Sequence, residues 1–189
     1  MTMLRQGLLD GRAIAVEGGI AGGFAPAITD ALAALGARVV ELDAALDEDA
    51  AREWAGGVAG LRALVYDAAS AFASGGQDAL RDTLERAWVA VRGAATGALI
   101  PAGAGKVVLI GPRPGDGPFA TATRAALENL ARTLSVEWAR YGVGAVAIVP
   151  GVQTADDEVA ELVCFLVSPA GEYFSGCLFE LGQSGDAHT

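Results

Sequence analysis

Six short apolar runs recur along this chain, each parted from the next by a segment of helical period, and no other feature constrains the fold as tightly. Runs of Val, Ile, Leu and Ala without polar alternation suit strands buried on both faces, the condition of a parallel sheet covered by helices on each side. The pattern predicts strands over Ala13–Val16, Arg38–Leu42, Ala63–Tyr66, Lys106–Ile110, Ala145–Val149 and Cys177–Leu181. Helices are predicted over Pro26–Leu35, Ala50–Ala55, Gln77–Leu99, Ala120–Tyr141 and Glu158–Leu166. Pro26 suits a first helical turn, Gly36 suits a helix end, and Pro169 disfavours helical geometry at Ser168. The alternation reads as a doubly wound α/β sheet in three layers. No linker or internal repeat divides the chain, so 1–189 reads as one domain, with flexible ends expected at 1–10 and 183–189.

A chain of 189 residues, 52% of them hydrophobic, is long enough for one sizeable core. Its formal net charge of −10, with Lys106 as the single lysine, repels phosphate backbones and anionic membrane surfaces, so neither nucleic acid nor membrane is expected as a partner. No apolar run approaches the ~20 residues of a membrane span. Met1 to Gly7 lacks the apolar stretch of a secretory signal, and a cytoplasmic protein is expected. Cys164 and Cys177 show no metal-binding spacing and His188 stands alone in the tail, so the cysteines read as buried thiols and no zinc site is expected. High Ala, Gly and Arg content points to a GC-rich bacterial source.

After the first predicted strand come Gly18-Gly19-Ile20-Ala21-Gly22-Gly23-Phe24-Ala25-Pro26, leading directly into a helix. Glycines at such a turn let the backbone approach a pyrophosphate, and the helix N-terminus offers free N–H groups and the positive end of its dipole. Asp43 closes the second strand, where a carboxylate accepts hydrogen bonds from an adenine-ribose diol. Against this stands Glu17, an anion just before the turn. The turn has two readings, dinucleotide binding and a purely structural bend. The place taken by Phe24 and Glu17 in the folded chain decides between them.

Gly11–Val16 with its glycine loop, the segment RAALENLARTLSVEWARYGVGAVAIVPG (124–151) and the segment EVAELVCFLVSPAGEYFSGCLFELG (158–182) together resemble the short-chain dehydrogenase/reductase family over nearly the whole chain. The resemblance implies a Rossmann-like fold, with Gly19, Gly23 and Ala25 at the glycine positions of the family's cofactor loop and Asp43 as the ribose-binding acid. It also implies that Tyr66-Asp67-Ala68-Ala69 stands where the family carries Asn-Asn-Ala-Gly after its fourth strand.

The positions that would carry chemistry are replaced. In the family a tyrosine exchanges a proton with the substrate oxygen and a lysine four residues later lowers its pKa and holds the nicotinamide ribose. Those positions align with Ala120 and Arg124, the family's serine with Pro112, and its helix asparagine with Trp88. Arg124 retains the charge to hold a ribose; alanine carries no proton. No Tyr-x-x-x-Lys exists in any register. The stretch after Pro150-Gly151 runs straight into the last helix, without the longer segment that covers substrate in the family.

A catalytically inactive structural or regulatory subunit is therefore expected. By resemblance it pairs with itself or with an active relative through the helices 77–99 and 120–141, with Trp88 either in the core or at that interface. No cofactor is expected as the first reading. The alternatives are an NAD(H)- or adenine-nucleotide-binding module built on Gly19, Gly23, Ala25, Asp43 and Arg124, and an atypical NAD-dependent oxidoreductase using Tyr66 or Asp67 as its acid.

Overall fold

The computed structural model describes residues 4–18, 23–72 and 76–182. They contain six strands, β1 (Ala13–Glu17), β2 (Arg38–Glu41), β3 (Leu61–Asp67), β4 (Gly105–Ile110), β5 (Val143–Pro150) and β6 (Leu178–Leu181). Six α-helices accompany them: α1 (Ala25–Ala34), α2 (Glu48–Gly57), α3 (Ala68–Ala71), α4 (Gln77–Ala94), α5 (Ala120–Glu137) and α6 (Asp156–Leu166). All strand pairings are parallel, in the order β2-β1-β3-β4-β5-β6. Every expected strand and helix is present, with boundaries shifted by a few residues.

Local chemistry accounts for the ends. Pro26 sits in the first turn of α1, and Gly36, at φ 94°, turns the chain out of it while the Gly36 and Ala37 N–H groups donate to the carbonyls of Ala33 and Leu32. Asp47 caps α2, its carboxylate accepting from Ala50 N–H at 2.9 Å. The helix expected over Gln77–Leu99 leaves α geometry at Ala95 and finishes as a π-turn over Ala95–Leu99. The helix expected to Tyr141 ends at Glu137, with a 3-10 turn over Ala139–Tyr141 and Gly142 at φ 70°. The short α3 was not anticipated; Asp67, closing β3, caps it by accepting from Ala69 N–H.

Two cores flank the sheet. Ile14, Val16 and Ile28 pack with α6 residues such as Val163 on one face, and Ala13, Ala15 and Tyr66 pack with α2, α4 and α5 on the other. Helices α1 and α6 therefore share a face, yet β1 leads to β2 towards one edge and β5 leads to β6 towards the opposite edge. Those two crossovers must be of opposite hand. The β2-to-β3, β3-to-β4 and β4-to-β5 connections share the hand of β1-α1-β2, so the right-handed rule makes β5-α6-β6 the left-handed one.

Tyr66-Asp67 closes the third strand of this chain, where the resemblance implies a fourth. The sheet has a strand fewer before that point, and β2 is its edge. The amino-terminal segment expected to be flexible is anchored where it is described: Leu9 is fully buried and its N–H donates to the Leu35 carbonyl. Residues 183–189, the other expected flexible end, lie outside the described residues.

Candidate functional site

Strand order reverses at β1, which has β2 on one side and β3 on the other, and open α/β sheets bind ligands at the carboxyl ends of strands at such a point. Glu17 ends β1, Asp67 ends β3, and the glycine turn leads from Glu17 into α1. Gly19 lies outside the described residues; Gly18, Gly23, Phe24 and Ala25 are described.

The Asp67 carboxylate, with no solvent exposure, sits directly on the N-terminus of α1. Its Oδ2 accepts from Phe24 N–H at 2.5 Å and from Ala25 N–H at 2.9 Å, and its Oδ1 accepts from Ala69 N–H at 3.1 Å. The next residue, Pro26, has no N–H to offer. An internal anion thus takes the donors that a helix N-terminus would present to a phosphate. The glycines accommodate this carboxylate: a Cβ on Gly23 would lie 2.5 Å from Asp67 Oδ2 and one on Gly18 would lie 2.8 Å from Asp67 Cβ. Gly23 also holds φ 84° and its Cβ would meet Ser70 N at 2.9 Å. Gly23→Ala should therefore lower unfolding free energy by about 3 kcal/mol, strain and overlap together, read from denaturant midpoints. A loss below about 1 kcal/mol would show that the loop does not close on Asp67.

The Phe24 ring is fully buried, and the Arg113 guanidinium lies over it at 4.3 Å from the centroid. The same guanidinium donates to the Thr154 carbonyl at 3.0 Å and pairs with Asp156 at 2.6 Å. Arg113 thereby ties the turn after β4 to the short loop that follows Pro150. Thr154 completes the turn, its Oγ1 accepting from Gly151 N–H at 2.8 Å.

Two buried acids face low-dielectric surroundings here. Burial pushes the Glu17 carboxyl up to about 7, with the nearby Asp67 charge adding to the rise and Arg86 opposing it. Burial also pushes Asp67 up to about 6, against the lowering effect of its three backbone hydrogen bonds. Tyr66 is wholly buried on the α4 side, where its hydroxyl donates to the Thr83 carbonyl at 2.7 Å and burial raises the phenol well above the usual tyrosine range.

The remaining expected site residues are dispersed. Ala120 is buried at the start of α5, beside Phe72 and Ala79. Arg124 Nη1 donates to the carbonyls of Pro112 at 2.9 Å and Pro150 at 2.6 Å, tying the ends of β4 and β5 together. One nitrogen of the guanidinium thus compensates carbonyls at the sheet ends, a structural role that the sequence did not suggest. Asp43 is exposed beyond β2, with Oδ1 accepting from Ala45 N–H at 2.8 Å. Trp88 is 41% exposed on α4, its ring 5.4 Å from the Arg92 guanidinium carbon, and belongs to the surface rather than the core. Lys106 lies at the opposite, amino end of the sheet, where it donates to the carbonyls of Glu172 and Phe174. The expected acids Tyr66 and Asp67 are adjacent in sequence but turned apart, one into the α4-side core and one onto α1. Sequence reasoning passed over Arg113, and its one signal was a lone cation in the Pro- and Gly-rich turn after β4.

Comparison with known proteins extends this description. No family model matches the chain. Over 89 residues it is 33% identical to the gluconate 5-dehydrogenase of Gluconobacter oxydans, a match covering 40% of this chain and only 34% of that relative's length. Solved structures align far more fully. The citronellol catabolism dehydrogenase of Pseudomonas aeruginosa PAO1 superposes with a TM-score of 0.77 at 24% identity, covering 95% of this chain and 97% of that one. A mutant short-chain dehydrogenase/reductase of Serratia marcescens gives 0.72 at 23% identity over 92% of this chain and 96% of that one. The protein BdcA, solved in complex with NADPH, gives 0.72 at 19% identity over 92% of this chain and 94% of that one. No helix among the described residues is long and apolar enough to cross a membrane. The chain shares the Rossmann-like fold of these solved structures.

Proposed function

We propose that this chain is a degenerate short-chain dehydrogenase/reductase that does not transfer hydride and serves as a structural or regulatory subunit. The observation that carries this reading is the Asp67 carboxylate on the Phe24 and Ala25 N–H groups. A pyrophosphate approaching α1 meets an anion and a proline where it needs donors. Ala120 has no proton to give, and the Nη1 of Arg124 is engaged by two backbone carbonyls. An oxidoreductase that uses Tyr66 or Asp67 as its acid draws less support, since each side chain is committed to backbone groups.

The partner in this proposal is a second copy of the chain or an active relative, docked on the outer faces of α4 and α5. Trp88 and Val136, 41% and 79% exposed, border a groove of about 700 Å³ between these helices, with Ile100 and Tyr141 on its walls. Large apolar side chains left in water on paired helices suit a buried interface. Sedimentation of the chain alone, and co-expressed with a reductase of the same fold from its own genome, tests the pairing. A dimer or larger assembly is expected, and Trp88→Glu with Val136→Glu should weaken association by about a hundredfold or more. Monomers in both preparations would overturn it.

A second reading, a domain that retains NAD(H) without reducing a substrate, is favoured by one feature. A cavity of about 330 Å³ lies between Gly18, the first turn of α1 and Val39, with Glu41 on its lining. The NADPH complex of BdcA, a protein of the same fold, lends it support.

A further inference from the structure

Glu17 has no role in the account above, and its surroundings point elsewhere. It is 2% exposed, and among the described residues its Oε2 has no hydrogen-bond partner. Side chains alternate along a strand, and Ala13 and Ala15 of β1 face the α2, α4 and α5 side. Glu17 therefore projects to that side, away from α1. There it lines a cavity of about 200 Å³ walled by Leu42, Ala51, Val89 and Ala90, with Asp43, Glu85 and Arg86 also on its lining. The cavity thus holds three carboxylates against one guanidinium, and the most buried of them, Glu17, has one oxygen without a partner among the described residues. A buried acceptor without a donor is costly, and what satisfies it must bring N–H groups into a largely apolar slot.

We propose that this cavity binds a small organic cation of the guanidinium or amidinium class, its paired N–H groups donating to the Glu17 carboxylate. A planar fork of two N–H groups matches a carboxylate bidentately. A guanidinium is also more weakly hydrated than an ammonium, which suits apolar walls. Arg86, exposed at the rim, makes no ion pair within 4 Å among the described residues, yet its charge favours the Glu17 carboxylate and so competes with an entering cation. The site is separate from the crevice held by Asp67 and does not depend on whether a dinucleotide binds there.

Calorimetry with methylguanidinium and agmatine, and with N-methylurea as the neutral match, tests the proposal. Saturable binding of both cations and none of the urea is expected, with Glu17→Gln weakening it by about tenfold or more and Arg86→Ala tightening it. Because Glu17→Gln removes a buried charge, its melting temperature should match or exceed wild type, which separates lost binding from lost fold. Binding should also weaken as pH falls through about 7, where Glu17, facing Arg86 and Glu85 of α4, Asp43 beyond β2 and Asp67 of β3, takes up a proton. No saturable binding by either the wild type or Arg86→Ala, or equal binding by Glu17→Gln, would overturn the proposal.

Discussion

Asp67→Ala is expected to lower the unfolding free energy by about 3 kcal/mol near pH 8, roughly 1 kcal/mol for each of the three N–H groups it strands. The groups belong to Phe24, Ala25 and Ala69, and among the described residues none has a backbone acceptor outside the helices and strands. Asp67→Asn should lose much less, since one amide oxygen still accepts from Phe24 and Ala25 and the buried charge is gone. The reason for so large an effect is position. One carboxylate caps two helices at once, α1 through Oδ2 and α3 through Oδ1, and both caps lie at the carboxyl ends of the paired strands β1 and β3. Denaturant melts of both variants measure it. If Asp67→Ala lost less than Asp67→Asn, the carboxylate would not be the cap described here.

Stability should fall as pH rises from about 4 to about 7 and then level off. The sign follows from the two buried acids. Each has its folded-state pKa raised, Glu17 from 4.5 to about 7 and Asp67 from 3.8 to about 6, so the folded chain keeps protons that the unfolded chain has released within that window. The state that binds more protons is favoured by lower pH. Either displacement alone corresponds to about 3 kcal/mol, and because the two charges interact the pair is expected to supply about 3–5 kcal/mol in all. For a domain of this size that is roughly a 10 °C higher melting temperature near pH 5 than near pH 8. The double variant Glu17→Gln, Asp67→Asn should flatten most of the slope. A melting temperature that rises with pH over this range would contradict the burial of both acids in ionised form.

The fold was legible because strands buried on both faces leave unbroken apolar runs, as in Leu64 to Tyr66 or Val107 to Ile110. Helix ends at Gly36 and before Pro169 were legible because turn and cap chemistry is local. What escaped notice depends on contacts distant in sequence. Asp67 meets Phe24 across 43 residues, and Arg124 reaches Pro112 and Pro150 across 12 and 26. A glycine loop followed by a helix looks the same whether it opens to a phosphate or wraps around a carboxylate. Gly18 and Gly23 needed the position of Asp67 to show which. Two local signs did point this way: Pro26, which removes a donor from α1, and an aspartate in place of a neutral amide at the end of β3. The absence of a proton donor at Ala120 was readable from the sequence, whereas the engagement of Arg124 was not.

The account rests on the claim that the chain's own carboxylate holds the α1 N-terminus against a dinucleotide. Calorimetric titration of the wild-type chain with NADH and NADPH tests this most directly. The account predicts no saturable heat and no rise in melting temperature at millimolar ligand, and a micromolar dissociation constant for either would contradict it.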